Sequence, residues 1–75
     1  MQTTDDFPIR TYRKDELACL YNPHLSRRCA VRTFTRWLRL NPELYERLLQ
    51  TGYTPYIRLF TPLQVRLIVR YLSAP

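Results

Sequence analysis

The chain has 75 residues, of which 45% are hydrophobic and 24% are charged. This length and balance predict one small globular domain and exclude an intrinsically disordered chain. A single glycine is too few for the tight turns of an all-β protein. No apolar run reaches the roughly 20 residues that span a membrane, and the start MQTTDDFPIR lacks the order of a signal peptide. We therefore expect a cytoplasmic protein without a membrane partner, whose two cysteines are free thiols.

The charge of the chain is strongly basic. Twelve Lys and Arg residues stand against six Asp and Glu residues, which gives a net charge of +6. All of the basic residues except Lys14 are arginines, whose planar guanidinium suits phosphate, carboxylate and base edges. This excess indicates an anionic partner, and nucleic acid is the commonest one. Base composition of the genome would also enrich arginine, so the bias alone does not identify the partner.

The first third of the chain predicts one strand and one helix. Residues 1–6 are polar and acidic and predict a disordered tail. FPIRTY at 7–12 alternates apolar and polar residues, which predicts a short strand. KDELACLY at 14–21 predicts a helix with two acids in its first turn, where they suit the helix dipole. NPHL at 22–25 predicts a turn, because an asparagine precedes a proline there.

Capping residues mark three further helices. Ser26 is a good N-cap, so the second helix is expected to run from there to about Leu40. Asn41 ends that helix and caps a third one, which Gly52 ends as a C-cap. Residues 56–60, YIRLF, predict a second strand. The fourth helix begins with the capping box of Thr61, Pro62 and Gln64.

Together these elements predict the fold class. The expected fold is mainly α, with four short helices and a small two-stranded β element, arranged like a winged helix-turn-helix. Residues 7–75 form the single domain, and the two strands are expected to pair beside the helices.

The second predicted helix carries five arginines and no acid within residues 26–41. At about 100° per residue, four of them fall on one narrow face and the apolar residues fall on the opposite face. We call these four the arginine stripe: Arg28, Arg32, Arg36 and Arg39. Thr35 borders the stripe, and the apolar face, expected in the core, consists of Ala30, Val31, Phe34, Trp37 and Leu38.

Two features of the stripe favour a bound anion over plain solvation. The arginines have no acidic partner at i,i+4 within the helix, so like charges repel by a few tenths of a kcal/mol per pair. Arg27 and Arg28 also lie in the first turn, where the helix dipole disfavours cations and free N–H groups attract anions. One alternative stays open: the stripe is solvated, or Glu43, Glu46 or the acids at positions 5 and 6 pack against it.

Three motifs give the chain a resemblance to known families: YRKDELACLY at 12–21, RWLRLNPEL at 36–44 and FTPLQVRLI at 60–68. On these motifs, residues 7–75 are similar to a family of small bacterial proteins known as a domain of unknown function. The order of the elements also resembles the winged helix-turn-helix of the MerR and excisionase type. That second resemblance implies a DNA-binding fold whose second helix enters the major groove. The chain departs from it by lacking a glycine in the turn and by having a third helix.

The winged-helix resemblance also implies roles for particular residues. The residues of the recognition helix would be Arg28, Arg32, Thr35, Arg36 and Arg39. The wing would be represented by Tyr56 and Arg58, and the start of the first helix would place Arg13 and Lys14 near the DNA backbone. In a DNA-binding protein we expect phosphate contacts from Arg13, Lys14, Arg27 and Arg28, and base-edge contacts from Arg32, Arg36 and Arg39.

Two functions remain open at this stage. The favoured one is a DNA-binding module, and the alternative is an adaptor whose stripe binds an acidic surface of a partner protein. We expect no enzyme and no cofactor, because no nucleophile and base are paired and a chain this short has little room for a pocket. Cys19, His24 and Cys29 are too few for a four-ligand zinc site, and both cysteines are expected as small buried hydrophobes. A homodimer through the fourth helix is compatible with either function.

Overall fold

The computed structural model describes residues 7–75 as four helices and one two-stranded sheet. In chain order these are β1 (Tyr12–Arg13), α1 (Lys14–Tyr21), α2 (Arg27–Leu40), α3 (Pro42–Gln50), β2 (Leu59–Phe60) and α4 (Pro62–Leu72). The mainly helical fold with a small β element is therefore confirmed, and the element order is compatible with a winged helix-turn-helix. The tail predicted for residues 1–6 lies outside the described residues.

Side-chain caps begin the three longer helices where the sequence predicts them. Ser26 Oγ accepts a hydrogen bond from the backbone N–H of Cys29 at 3.3 Å, and Asn41 Oδ1 accepts one from Leu44 at 3.2 Å. Thr51, not Gly52, is the C-cap of α3. Gly52 follows it with φ +92°, a left-handed conformation that glycine adopts without strain.

The two strands are shorter than predicted. They pair antiparallel over two residues each, with Tyr12 opposite Phe60 and Arg13 opposite Leu59. The segment before β1 folds back on itself, since Tyr12 donates its hydroxyl hydrogen to the carbonyl of Pro8 at 2.9 Å. The segment before β2 forms a turn in which the backbone N–H of Ile57 donates to Thr54 at 3.3 Å. The sequence predicted longer strands because it shows only the local pattern of residues. The internal contacts that shorten the two strands leave no such pattern.

The core gathers around Phe34 on α2. Its ring stacks on Tyr21 at 5.2 Å and meets Phe60 and Trp37 edge-on at 6.0 and 6.4 Å. Helix α1 packs on α2, α2 on α3, α3 on α4, and α4 on β2. The expected apolar face of α2 is confirmed: Ala30, Phe34 and Leu38 are buried, while Val31 and Trp37 are half-buried against the core.

A buried polar side chain joins the end of α3 to the start of α4. Gln64 is only 3% exposed. Its Oε1 accepts from the backbone N–H of Thr61 at 2.9 Å, which completes the predicted capping box, and its Nε2 donates to Thr51 Oγ1 at 3.0 Å. None of the helices within residues 7–75 is long and apolar enough to cross a membrane.

Candidate nucleic-acid interface

The arginine stripe occupies the outward face of α2. All four of its arginines are exposed, while Ala30, Phe34 and Leu38 are buried on the opposite side of the same helix. Thr35 is half-buried at the border of the stripe. Arg28 and Arg39 lie about 16 Å apart along the axis, from a rise of about 1.5 Å per residue. The stripe is thus a row of cations along most of a surface helix.

The extended side chains of the stripe enclose an open trough on α2. Its volume is about 560 Å³, and it is lined by Arg32, Thr35, Arg36, Arg39 and Leu40. Because every lining residue belongs to one helix, the trough is the space between side chains and not a cavity within the fold. Leu40 is 71% exposed at its edge. Such a trough fits a ridge of a partner molecule better than a small ligand.

None of the acidic residues that the structure describes forms an ion pair with the stripe. Within residues 7–75, the ion pairs join Arg10 to Glu16, Arg13 and Arg27 to Asp15, and Arg47 to Glu43. Glu43 also accepts a hydrogen bond from the Tyr71 hydroxyl at 2.9 Å. Glu46 is exposed on α3 beside Arg47 and Gln50. No ion pair in this part of the chain reaches the stripe, and the acids at positions 5 and 6 lie outside it.

Arg27 has a partner that the sequence analysis did not foresee. Its Nε lies 3.7 Å from Asp15 Oδ2, across the junction of α1 and α2. Arg13 Nε donates to Asp15 Oδ1 at 3.2 Å. That hydrogen bond, together with the charges of both arginines, lowers the pKa of Asp15 below its usual value. The two arginines in the first turn of α2 therefore differ: Arg27 has an acidic partner on α1, and Arg28 has no ion pair within residues 7–75.

Three of the remaining predicted site residues, Arg13, Lys14 and Arg58, lie together at the junction of α1 and the segment before β2. A concavity of about 310 Å³ is lined by Arg13, Lys14, Asp15, Val31, Ile57 and Arg58. Val31 connects it to the stripe, because on a helix Val31 neighbours both Arg28 at i−3 and Thr35 at i+4. The fold thus brings Arg13, Lys14 and Arg58 to the edge of the stripe, although they are up to 45 residues apart in the chain.

Two predicted site residues, Tyr56 and Lys14, differ in how far their side chains are exposed to solvent. Tyr56 is 89% exposed and projects from the turn before β2. Lys14 is half-buried, and its Nζ donates to the carbonyl of Pro55 at 2.7 Å. Burial lowers the pKa of Lys14 below its usual value. No pattern in the sequence indicates this contact, since it joins residues 41 positions apart.

The loop aromatics Tyr53 and Tyr56 have different surroundings. Tyr53 is buried, stacked on Phe60 at 6.0 Å and edge-on to Tyr45 at 5.9 Å. Its hydroxyl finds no hydrogen-bond partner within residues 7–75, and desolvation raises its pKa. Tyr53 therefore belongs to the core, and Tyr56 is the aromatic side chain that this segment presents to solvent.

The cysteines are not a buried pair. Cys19 is half-buried, but Cys29 is exposed, so the prediction of a buried thiol was wrong for Cys29. Cys29 lies about 100° from Arg28 on the helical wheel, away from the apolar face. Among the described residues, no group of three or more His, Cys, Asp or Glu side chains is arranged to hold a metal ion.

Helix α4 is the helix through which the sequence analysis considered a homodimer. On α4, Leu63 is exposed, whereas Leu67 and Tyr71 are half-buried.

Comparison with known proteins identifies the family. Residues 8–75 match the family model described as Domain of unknown function (DUF4248). The chain belongs to this family. Comparison with curated proteins and with solved structures gave no match. The expected membership in a domain-of-unknown-function family is thus confirmed over nearly the whole chain, whereas the likeness to the MerR type stays a prediction.

Proposed function

We propose that this DUF4248 chain is a DNA-binding module that docks through the arginine stripe of α2. The observation that carries the proposal is the electrostatic isolation of the stripe. Four exposed arginines share one helix face, and no acid within residues 7–75 pairs with them. Their mutual repulsion is relieved when each guanidinium meets a phosphate.

The dimensions of the site support a duplex as the anion. A helix with its side chains is about 10–12 Å wide, which matches the major groove of B-DNA at about 12 Å. In this arrangement Arg28 contacts phosphate at the start of the helix. Arg32, Arg36 and Arg39 reach base edges or flanking phosphates, and Thr35 lies at the border of the contact. Arg13 and Arg58 add positive charge beside the major groove of the bound DNA. In this proposal the module binds DNA and catalyses no reaction.

A salt titration tests the proposal with a matched control. Arg32→Ala/Arg36→Ala removes two cations of the stripe. Arg66→Ala/Arg70→Ala removes two exposed cations with the same i,i+4 spacing on α4. Binding of labelled random-sequence duplex DNA is measured by fluorescence anisotropy at several salt concentrations. Each arginine lost from a phosphate flattens the slope of log K against log salt by about 0.9, so the α2 variant should lose up to about 1.8.

The outcomes of this experiment are distinct. The α2 variant should lose both affinity and slope, whereas the α4 variant should keep nearly the wild-type slope. Equal losses in the two variants would mean that net charge, not the stripe, controls binding. Absence of duplex binding by the wild type at low salt would refute the proposal.

An acidic protein partner is a second candidate, favoured by one observation. Leu40, 71% exposed, lines the same trough as Arg36 and Arg39. An apolar side chain among arginines suits a protein surface better than a row of phosphates. Affinity capture with the tagged chain from host extract, before and after nuclease treatment, separates the two candidates. An acidic protein retained after nuclease treatment and released by Leu40→Ser would support the adaptor.

A further inference from the structure

The turn before β2 is a defined structure with an aromatic side chain at its tip. The backbone N–H of Ile57 donates to the Thr54 carbonyl at 3.3 Å, and that of Tyr56 donates to Thr54 Oγ1 at 3.2 Å. Pro55 restricts the backbone between them. Tyr56 at the tip is 89% exposed. We call residues 54–58 the tyrosine turn.

Lys14 holds this turn at two points. Its backbone N–H donates to the carbonyl of Arg58 at 2.8 Å, and its side-chain Nζ donates to the carbonyl of Pro55 at 2.7 Å. One residue at the start of α1 therefore bonds to both sides of the exposed Tyr56. Lys14 is half-buried, and its ammonium group is directed at the carbonyl of Pro55, which leaves it less well placed to meet a phosphate itself.

The tyrosine turn lies next to the arginine stripe. Ile57 and Arg58 line one concavity with Val31 of α2, and Val31 borders the stripe through its i−3 and i+4 neighbours. A duplex that lies along the stripe would therefore also meet the turn. Tyrosine hydroxyls are common donors to phosphate oxygens in such contacts.

We propose that Lys14 is a positioning residue, whose two hydrogen bonds hold the tyrosine turn beside α2 so that Tyr56, which carries no charge, contacts the bound duplex. Lys14 then acts through the turn and does not contact DNA. This inference rests on the proposed function, and it replaces the phosphate contact that the sequence analysis expects from Lys14.

The test distinguishes positioning from phosphate contact by the salt slope. Lys14→Met keeps an unbranched side chain that is one atom shorter and removes the donor to Pro55. Loss of the uncharged Tyr56 contact should weaken duplex binding about tenfold, with the slope of log K against log salt changed by less than half of the roughly 0.9 per phosphate. Arg28→Met, measured in parallel, gives the slope change of a lost phosphate contact. Lys14→Arg, which keeps a donor, should bind within about threefold of the wild type.

Two further variants test whether Lys14 acts through the turn. Tyr56→Ala should weaken binding to a similar degree, and Lys14→Met combined with Tyr56→Ala should be no weaker than either single variant, because both remove the same contact. Thr54→Ala loosens the turn from within without a charge change, and it should lower affinity at an unchanged slope. It keeps the inference testable if Lys14→Met does not fold. In the free protein, Lys14→Met should speed hydrogen exchange at the amide of Ile57.

Different results overturn different claims. A slope loss of about 0.9 in Lys14→Met, or losses that multiply in the double variant, would make Lys14 a phosphate contact and leave the proposed function standing. Unchanged exchange at Ile57 in a folded Lys14→Met chain would also overturn the positioning role. A wild type that binds no duplex would overturn the proposed function first, and this inference with it.

Discussion

Replacing Gln64 with alanine is expected to destabilise the fold more than any exposed polar substitution. Gln64 is 3% exposed, and its amide bridges the first turn of α4 to the end of α3. Gln64→Ala removes the acceptor for the N–H of Thr61 and the donor to Thr51 Oγ1. Alanine is an excellent helix former, so the helix itself is not impaired and the loss falls on the bridge.

The magnitude follows from the contacts that disappear. Each hydrogen bond contributes about 1 kcal/mol net, and the lost buried methylene contributes about 0.8 kcal/mol. The free energy of unfolding should therefore fall by about 2–3 kcal/mol. A 75-residue domain has a total of about 4–11 kcal/mol, so the variant should melt roughly 10–20 °C below the wild type.

Urea unfolding followed by the fluorescence of Trp37 measures this change. Trp37 is the only tryptophan and contacts the rings of Tyr21 and Phe34. Gln50→Ala, at an exposed glutamine of α3, is the matched control and should change stability by less than about 0.5 kcal/mol. Equal stability of the Gln64 and Gln50 variants would refute the reasoning, because it would mean that the bridge contributes nothing net.

Two further predictions concern charge and pH. Asp15→Asn removes the acid that pairs with two arginines beside the stripe, so duplex binding should tighten about threefold to tenfold at low salt. The control Glu46→Gln makes the same change of net charge on α3 and should have a smaller effect. Equal effects of the two variants would rule out a local role for Asp15. Desolvation raises the pKa of both Tyr21 and Tyr53 above the usual value of 10.0. The folded state favours their neutral form, so the free energy of unfolding should fall as the pH rises above about 10. Urea titrations should show a smaller alkaline loss in Tyr21→Phe/Tyr53→Phe than in the wild type, and an equal loss would contradict the assignment.

Helix positions could be predicted from the sequence because their signals are local. Ser26, Asn41 and Thr61 cap backbone groups within three residues of themselves, so the sequence around each one contains the whole motif. The strands could not be delimited in the same way. Tyr12 pairs with Phe60, 48 positions away in the chain. In the turn at 54–57, the backbone N–H of Ile57 donates to the Thr54 carbonyl, so it is not available to pair with a neighbouring strand.

In the candidate site, too, the features that depend on nearby residues could be predicted from the sequence, and those that depend on distant contacts could not. Helical periodicity alone assigns the arginine stripe to one face of α2, opposite Phe34 and Leu38, since residues spaced by three and four share a face of any α-helix. Periodicity could not reveal that Asp15 reaches Arg27 from another helix, or that Tyr53 turns inward while Tyr56 points outward.

By itself, the sequence therefore determines four helices, the N-caps of three of them and a row of cations along the second helix, because each depends on residues a few positions apart. The tertiary structure decides which cations remain without an acidic partner and which side chains lie beside them. Arg27 meets Asp15 of α1, whereas the side chain of Lys14 donates to the carbonyl of Pro55. These contacts join distant parts of the chain, and only the packing of α1 on α2 and the pairing of β1 with β2 bring them together.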